Sequence, residues 1–215
     1  MLRVVSTRNL ARAERDRLCD TALALGPGSP TLCGGWTVED LVAHLLVRER
    51  NPIAAVGIAV PLLDGFTQRA MRRARRPGLE AMVARLRSTG LYPVSIPQVD
   101  RVFNTMEYFV HHEDLRRAQP SWEPRELSSY EQGQLWGGLK VTGKGLVRPA
   151  GVPVTIRRSD KDSSAVLKAG ADPVTVTGLP SELTMFLYGR PQHRDLAFVG
   201  PADRIEALQQ ASLGL

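Results

Sequence analysis

Between Asn104 and Arg117 the chain reads NTMEYFVHHEDLRR, and no other stretch constrains the fold as strongly. It sets Glu107, His111, His112, Glu113 and Asp114 into a run that also carries Met106, Phe109 and Val110. Read as a helix over Val99 to Ala118, it has a core-facing side of Val102, Phe103, Met106, Phe109 and Val110. Glu107 and His111 are four apart and share one face. A carboxylate and an imidazole at that spacing can hold one metal ion together. Glu107 and His112 are five apart, about 500° around the helix, so their faces diverge. His111 is therefore the better partner. Asp114, three beyond His111, is placed either to hold the ring's other nitrogen or to stay in water near Arg117.

A third ligand is on offer in WTVEDLVAHL. Thr37 reads as an N-cap, with Glu39 and Asp40 in the first turn, where acids suit the helix dipole. Leu41, Val42, Leu45 and Leu46 then make a broad apolar face up to Arg50, and His44 sits among them. A lone histidine on such a face is more often a satisfied core residue than a ligand. The Glu107–His111 pair, which lacks a third ligand, favours the second role. Asp40, one turn earlier, can orient the His44 ring or simply cap the helix. The expected centre is His44, Glu107 and His111 on two packed helices. Two imidazoles and one carboxylate suit zinc above all, and also iron, manganese or nickel. Three protein ligands leave positions open for water or substrate, the arrangement of catalytic sites, whereas a structural zinc wants four ligands, mostly cysteines. The two cysteines, Cys19 and Cys33, form no CxxC pair and are expected as buried reduced thiols. Cys33 is expected to pack against the bundle end and not to enter the centre.

The rest of the first half is helical. Leu10 to Leu25 carries apolar residues at helical spacing and is stopped by Gly26-Pro27. A loop rich in glycine and proline, GPGSPTLCGGW, leads to Thr37. Pro52 to Arg75 reads as a helix bent near Pro61, Leu79 to Thr89 as a shorter one, and Tyr92 to Pro97 as a connector. The result is a bundle of about four helices. Pro120 to Leu127, PSWEPREL, reads as a linker that divides the chain into domains 1–125 and 126–215. Ser128 caps a further helix. Val152 to Arg158, Ser164 to Lys168 and Pro173 to Thr177 are short β-branched runs, separated by SDKD and AGAD turns, and predict an antiparallel meander. Helices over Leu179 to Gly189 and Ala202 to Leu213 and a strand over Asp195 to Val199 complete a small α+β domain with an antiparallel sheet.

Composition narrows the function. With 43% hydrophobic residues in 215, a sizeable core is expected. No apolar run approaches the ~18 residues of a spanning helix; the longest, Ile53 to Leu63, is interrupted by Gly57 and Pro61. Charges at the N-terminus stand where a signal peptide needs an apolar core. A cytoplasmic protein with no membrane partner is expected. The net charge of +6 is dispersed, and its one dense run, Arg69 to Arg76, lacks the interleaved aromatics of a nucleic-acid surface. No nucleic-acid partner is expected; the run reads as a solvated face.

WTVEDLVAHL after a Gly-rich loop, followed by NTMEYFVHHEDLRRA, resembles the mycothiol-dependent maleylpyruvate isomerase family, part of the wider group of DinB-like four-helix metal proteins. GLPSELTMFLYGR looks like the helix of the family's sterol-carrier-like C-terminal module. The resemblance implies an N-terminal DinB-like four-helix bundle followed by a small α+β domain. It also implies a metal triad at His44, Glu107 and His111, and mycothiol, a low-molecular-weight thiol, as cofactor. A metal-bound thiol is deprotonated and nucleophilic. Arg190, by its place in YGR, becomes the candidate to hold a substrate carboxylate. Two functional classes follow. One is a metal- and thiol-dependent isomerase or transferase acting on a small electrophilic or carboxylated substrate. The other is a non-catalytic metal-binding sensor or ligand carrier.

Overall fold

The computed structural model describes residues 10–50, 64–88 and 97–214. The expected bend near Pro61, the Tyr92 to Pro97 connector short of Pro97 itself and the N-terminal segment before Leu10 lie outside the described residues. The chain divides into two compact units, Met1–Asp100 with Glu107–Trp122, and Arg101–Met106 with Glu123–Leu215.

The first unit is helical. Helix α1 spans Leu10–Leu25 and buries Leu10, Ala11, Leu18, Cys19 and Ala22 on one stripe. It ends where Gly26 takes a left-handed conformation (φ 81°) and its N–H returns to the Ala22 carbonyl. Helix α2 spans Val38–Arg50. Its start is fixed by a reciprocal cap: the Thr37 N–H and hydroxyl donate to Asp40 at 3.1 and 2.8 Å, and the Asp40 N–H donates back to the hydroxyl. Helices α3 (Asp64–Arg75) and α4 (Leu79–Arg87) follow, then α5 (Pro97–Arg117). Leu18, Cys19 and Ala22 of α1, Leu41, Val42 and Leu45 of α2, Met82, Val83 and Leu86 of α4, and Tyr108 and Leu115 of α5 form one buried core. Burying a leucine-sized side chain contributes roughly 1.5–3 kcal/mol, so this core is what holds α2 beside α5. Of the expected core side of α5, Met106, Phe109 and Val110 are buried, whereas Phe103 is 46% exposed; the residues of this helix in the cluster above are instead Tyr108 and Leu115.

The second unit is α+β. Helix α6 (Ser129–Leu146) opens on a capping box between Ser128 and Glu131. Strands β1 (Val154–Arg158), β2 (Ser164–Lys168), β3 (Val174–Gly178) and β4 (Ala197–Val199) form a sheet in the order β2-β1-β3-β4. The sheet is mixed, which corrects the expected antiparallel meander. β1 pairs antiparallel with β2, and β3 pairs antiparallel with β4, but β1 and β3 run parallel, with Ile156 opposite Val176. Each short turn reverses the chain as predicted. After the second turn, however, β3 lies beside β1 and not beside β2, and two reversals leave it parallel to β1. Helix α7 (Pro180–Leu187) begins at Leu179, which has no capping side chain; Gln132 of α6 supplies one, accepting from the Ser181 N–H at 3.0 Å and donating to its hydroxyl at 3.2 Å. Helix α8 (Ala202–Gln210) closes the chain. Among the described residues, no helix is long and apolar enough to cross a membrane.

Candidate metal centre

Helices α2 and α5 bring three side chains to one point. His44 Nε2 lies 3.4 Å and His111 Nε2 3.3 Å from the same oxygen, Oε1 of Glu107. One ligand atom from each of the three residues lies within 4.8 Å of the others. The imidazole rings meet edge to face with centroids 5.3 Å apart, and Trp36 flanks His44 at 5.0 Å. The site is sheltered but not sealed: the side chains of His44, His111 and Glu107 are 8, 13 and 24% exposed. Arg48 Nε stands 3.3 Å from the same Glu107 oxygen.

The outer nitrogen of His111 is held. Its Nδ1 lies 2.9 Å from Oδ2 of Asp114, whose side chain is fully buried. A carboxylate that accepts the Nδ1–H bond fixes the ring with Nε2 facing Glu107 and His44, as in the carboxylate–histidine–metal arrangement. Asp114 is therefore not the solvated acid near Arg117; Arg117 pairs with Glu113 instead, at 2.6 Å. Asp40 does not orient His44. It caps α2 and pairs with Arg75 of α3, while His44 Nδ1 is buried with no hydrogen-bond partner among the described residues. His112, on the diverging face, is 3% exposed and lies 2.8 Å from Glu14 and 3.0 Å from the Thr21 hydroxyl.

Charge is distributed to suit a cation. Burial works to raise the Glu107 pKa, but the bonds from His111 and His44 and the charge of Arg48 outweigh it and hold the carboxyl well below its usual range. Burial keeps His44 below its ordinary value, so the ring is neutral and free to donate a lone pair. Burial would lower His111 too, yet Asp114, Cys33 and Glu107 together lift it well above the ordinary histidine value. The metal-free centre thus holds a proton at His111 between two carboxylates. Two imidazole nitrogens converging on one carboxylate oxygen form a donor set that fits a divalent ion.

One neighbour, Arg48, was missed by the sequence reading, and another, Cys33, was expected elsewhere. Arg48 is one helical turn beyond His44 on the same face, a spacing that could have revealed it. Cys33 is not merely packed at the bundle end: its Sγ lies 3.0 Å from Asp114 Oδ2 and 3.7 Å from His111 Nδ1. Arg190 lies in the second unit, where its guanidinium donates to the Tyr188 carbonyl at 2.7 Å. His193 also lies there, edge-on to Phe186 at 5.5 Å.

Residues 10–116 match the family model described as the mycothiol maleylpyruvate isomerase N-terminal domain. Two solved structures are similar in fold. One is the crystal structure of the mycothiol-dependent maleylpyruvate isomerase, 17% identical, with a TM-score of 0.59 over 88% of this chain and 90% of that one. The other is a histidine-to-alanine mutant of the same enzyme, 17% identical, with a TM-score of 0.58 over 88% and 90%. No curated protein matches the chain.

Proposed function

Because residues 10–116 belong to the mycothiol maleylpyruvate isomerase N-terminal domain family, we propose that this protein is a divalent-metal- and thiol-dependent enzyme. Its substrate is a small electrophilic or carboxylated molecule, and its reaction is of the isomerase or S-transferase type. The observation that supports this best is the convergence of His44 Nε2 and His111 Nε2 on one oxygen of Glu107, with Asp114 behind His111.

In this reading His44, Glu107 and His111 hold the ion, zinc by preference for two imidazoles and a carboxylate. The ion, when bound, supplies the Lewis acidity that keeps a thiol such as mycothiol ionised at neutral pH. The protein's own part is placement. Asp114 fixes the His111 tautomer and ring angle. Arg48 neutralises the Glu107 oxygen in the metal-free protein and supplies a nearby positive charge for an anionic reactant. Trp36 and the apolar residues around His44 limit water at the ring. Arg190 is the residue we assign to a substrate carboxylate, on the strength of its place in the YGR segment.

The test is thiol-dependent turnover. The zinc-loaded protein is incubated with mycothiol and a panel of small conjugated acids and electrophiles, and substrate loss is followed. Loss that requires both thiol and metal, and that disappears in Glu107→Gln, is the expected result. Stoichiometric metal with no thiol-dependent loss of any substrate would favour a binding protein over an enzyme. In Arg190→Ala the expected change is a raised KM for carboxylated substrates, with uncharged electrophiles unaffected.

A further inference from the structure

His111 presents donors on both sides of its ring. Its Nε2 faces Glu107 and His44. Its Nδ1 faces a different trio, which also includes the Cys33 sulfur and Asp114 Oδ2; one ligand atom from each of Cys33, His111 and Asp114 lies within 4.8 Å of the others. The separations are 3.0 Å for sulfur to carboxylate, 2.9 Å for carboxylate to Nδ1 and 3.7 Å for sulfur to Nδ1. Four-coordinate ions with bonds of ~2.0–2.3 Å set their ligands roughly 3.3–3.7 Å apart. An ion therefore enters by spreading the two shorter contacts by a few tenths of an ångström.

The trio is a built site and not a chance approach of a loop. The Leu32 N–H donates to the Asp114 carbonyl at 3.1 Å, tying the cysteine loop to α5. The loop is braced internally: the Thr31 hydroxyl receives the Cys33 N–H at 3.1 Å and donates to the Trp36 carbonyl at 2.9 Å, and the Trp36 N–H returns to the Cys33 carbonyl at 2.7 Å. Gly35, at φ 80°, makes that tight return without strain. Asp114 is fully buried. Cys33 as a residue is only partly buried.

We infer that Cys33, Asp114 and His111 Nδ1 form a second metal site, selective for soft thiophilic cations of the cadmium type, which shares His111 with the first centre and excludes the ion there. Selectivity comes from the donors: a thiolate favours soft ions, whereas the first centre offers only nitrogen and oxygen. Exclusion comes from the ring. A neutral imidazole has one lone pair and one N–H. When the soft ion takes Nδ1, that nitrogen gives up its proton while Nε2 keeps its own, which points at Glu107 and leaves no lone pair for the first centre. Binding releases the Cys33 thiol proton and the His111 Nδ1 proton to solvent and involves no redox change. The site itself does not depend on the proposed function; only the competition between ions rests on that reading.

The experiment titrates the metal-free full-length protein with cadmium chloride and follows the thiolate-to-cadmium charge-transfer absorption. The expected result is a band that saturates at about one equivalent in the wild type and in Glu107→Gln, and is lost in both Cys33→Ser and Cys33→Ala with helicity unchanged. The other thiol, Cys19, is fully buried in the helical core and burial pushes it up to about 11, so it contributes no band. No band in the wild type, or a band that survives both Cys33 changes, overturns the site. Loss of the band in folded Glu107→Gln overturns it as a separate site, making Cys33 a fourth ligand of the first centre. In the zinc-loaded wild type the band should grow only as zinc is released; a full band with zinc retained overturns the sharing of His111.

Discussion

His111 and His112 are chain neighbours on one helix, and the fold treats them oppositely. His112 turns into the first unit's core, 3% exposed, and both its nitrogens have protein partners, Glu14 at 2.8 Å and Thr21 at 3.0 Å. His111 turns the other way. One of its nitrogens is held by Asp114, and the other meets Glu107 at an oxygen that His44 and Arg48 also approach. The difference is one of satisfaction. A buried histidine whose two nitrogens are each matched by one protein group has nothing left to offer a ligand. A histidine with one nitrogen fixed and the other crowded among donors competing for one carboxylate oxygen is the one we propose as a metal ligand. Burial alone does not separate the two rings; hydrogen-bond accounting does.

The comparison breaks or holds first on metal content. The zinc-loaded protein should carry about one ion per chain, lost altogether in His111→Ala and Glu107→Gln and kept in His112→Ala, by elemental analysis after desalting. A folded His112→Ala that loses its zinc, beside a His111→Ala that keeps it, would reverse the assignment of the two faces. The opposite ranking is expected for stability. His112→Ala strands the fully buried Glu14, a loss of about 3–5 kcal/mol for a broken buried pair. The lower end is expected because Arg17 still meets Glu14 at 2.6 Å. Denaturant unfolding measures this, and a cost under about 1 kcal/mol would mean that the buried pair is not the anchor its geometry suggests.

A smaller effect sharpens the role of the outer partner. Asp114→Asn should weaken zinc binding by about 10–100-fold while leaving the stoichiometry intact; unchanged affinity would reduce Asp114 to a packing residue. The proton count is finer still. Against the opposing effect of burial, Asp114, Cys33 and Glu107 hold His111 well above its ordinary value, so that ring is protonated at neutral pH. His44 and Glu107 are both shifted downward, and so already stand in their ligating forms. Zinc binding near pH 7 should therefore release about one proton, and affinity should rise about tenfold per pH unit until His111 titrates. Calorimetry in buffers of different ionisation enthalpy reads this; uptake of a proton, or none exchanged, would contradict the charge arrangement.

The helices were legible because their signals are local. Leu10 to Leu25 is bounded by an apolar stripe and a Gly-Pro stop, and Thr37 with Asp40 marks the start of α2, so both ends could be read from a few adjacent residues. The shared face of Glu107 and His111, and the divergence of His112, follow from helix geometry alone. The mixed sheet was not legible. The turns after β1 and β2 look the same whether β3 docks beside β2 or β1, and only the completed sheet chooses. Phe103 fits the apolar spacing of its neighbours yet stands exposed, because coverage is decided by what lies opposite.

The sequence by itself determined the helical first half, the small α+β second half and the spacing that puts a carboxylate and an imidazole on one face. Tertiary structure decided which side chains complete the surroundings. Arg75 reaches Asp40 and removes it from His44, and the loop after Pro30 sets Cys33 against Asp114. The reason is range. Periodicity and caps act over a few residues, where bond geometry fixes distance. Asp40 and Arg75, or Cys33 and Asp114, are far apart along the chain and meet only because separate helices and a braced loop bury their apolar faces together.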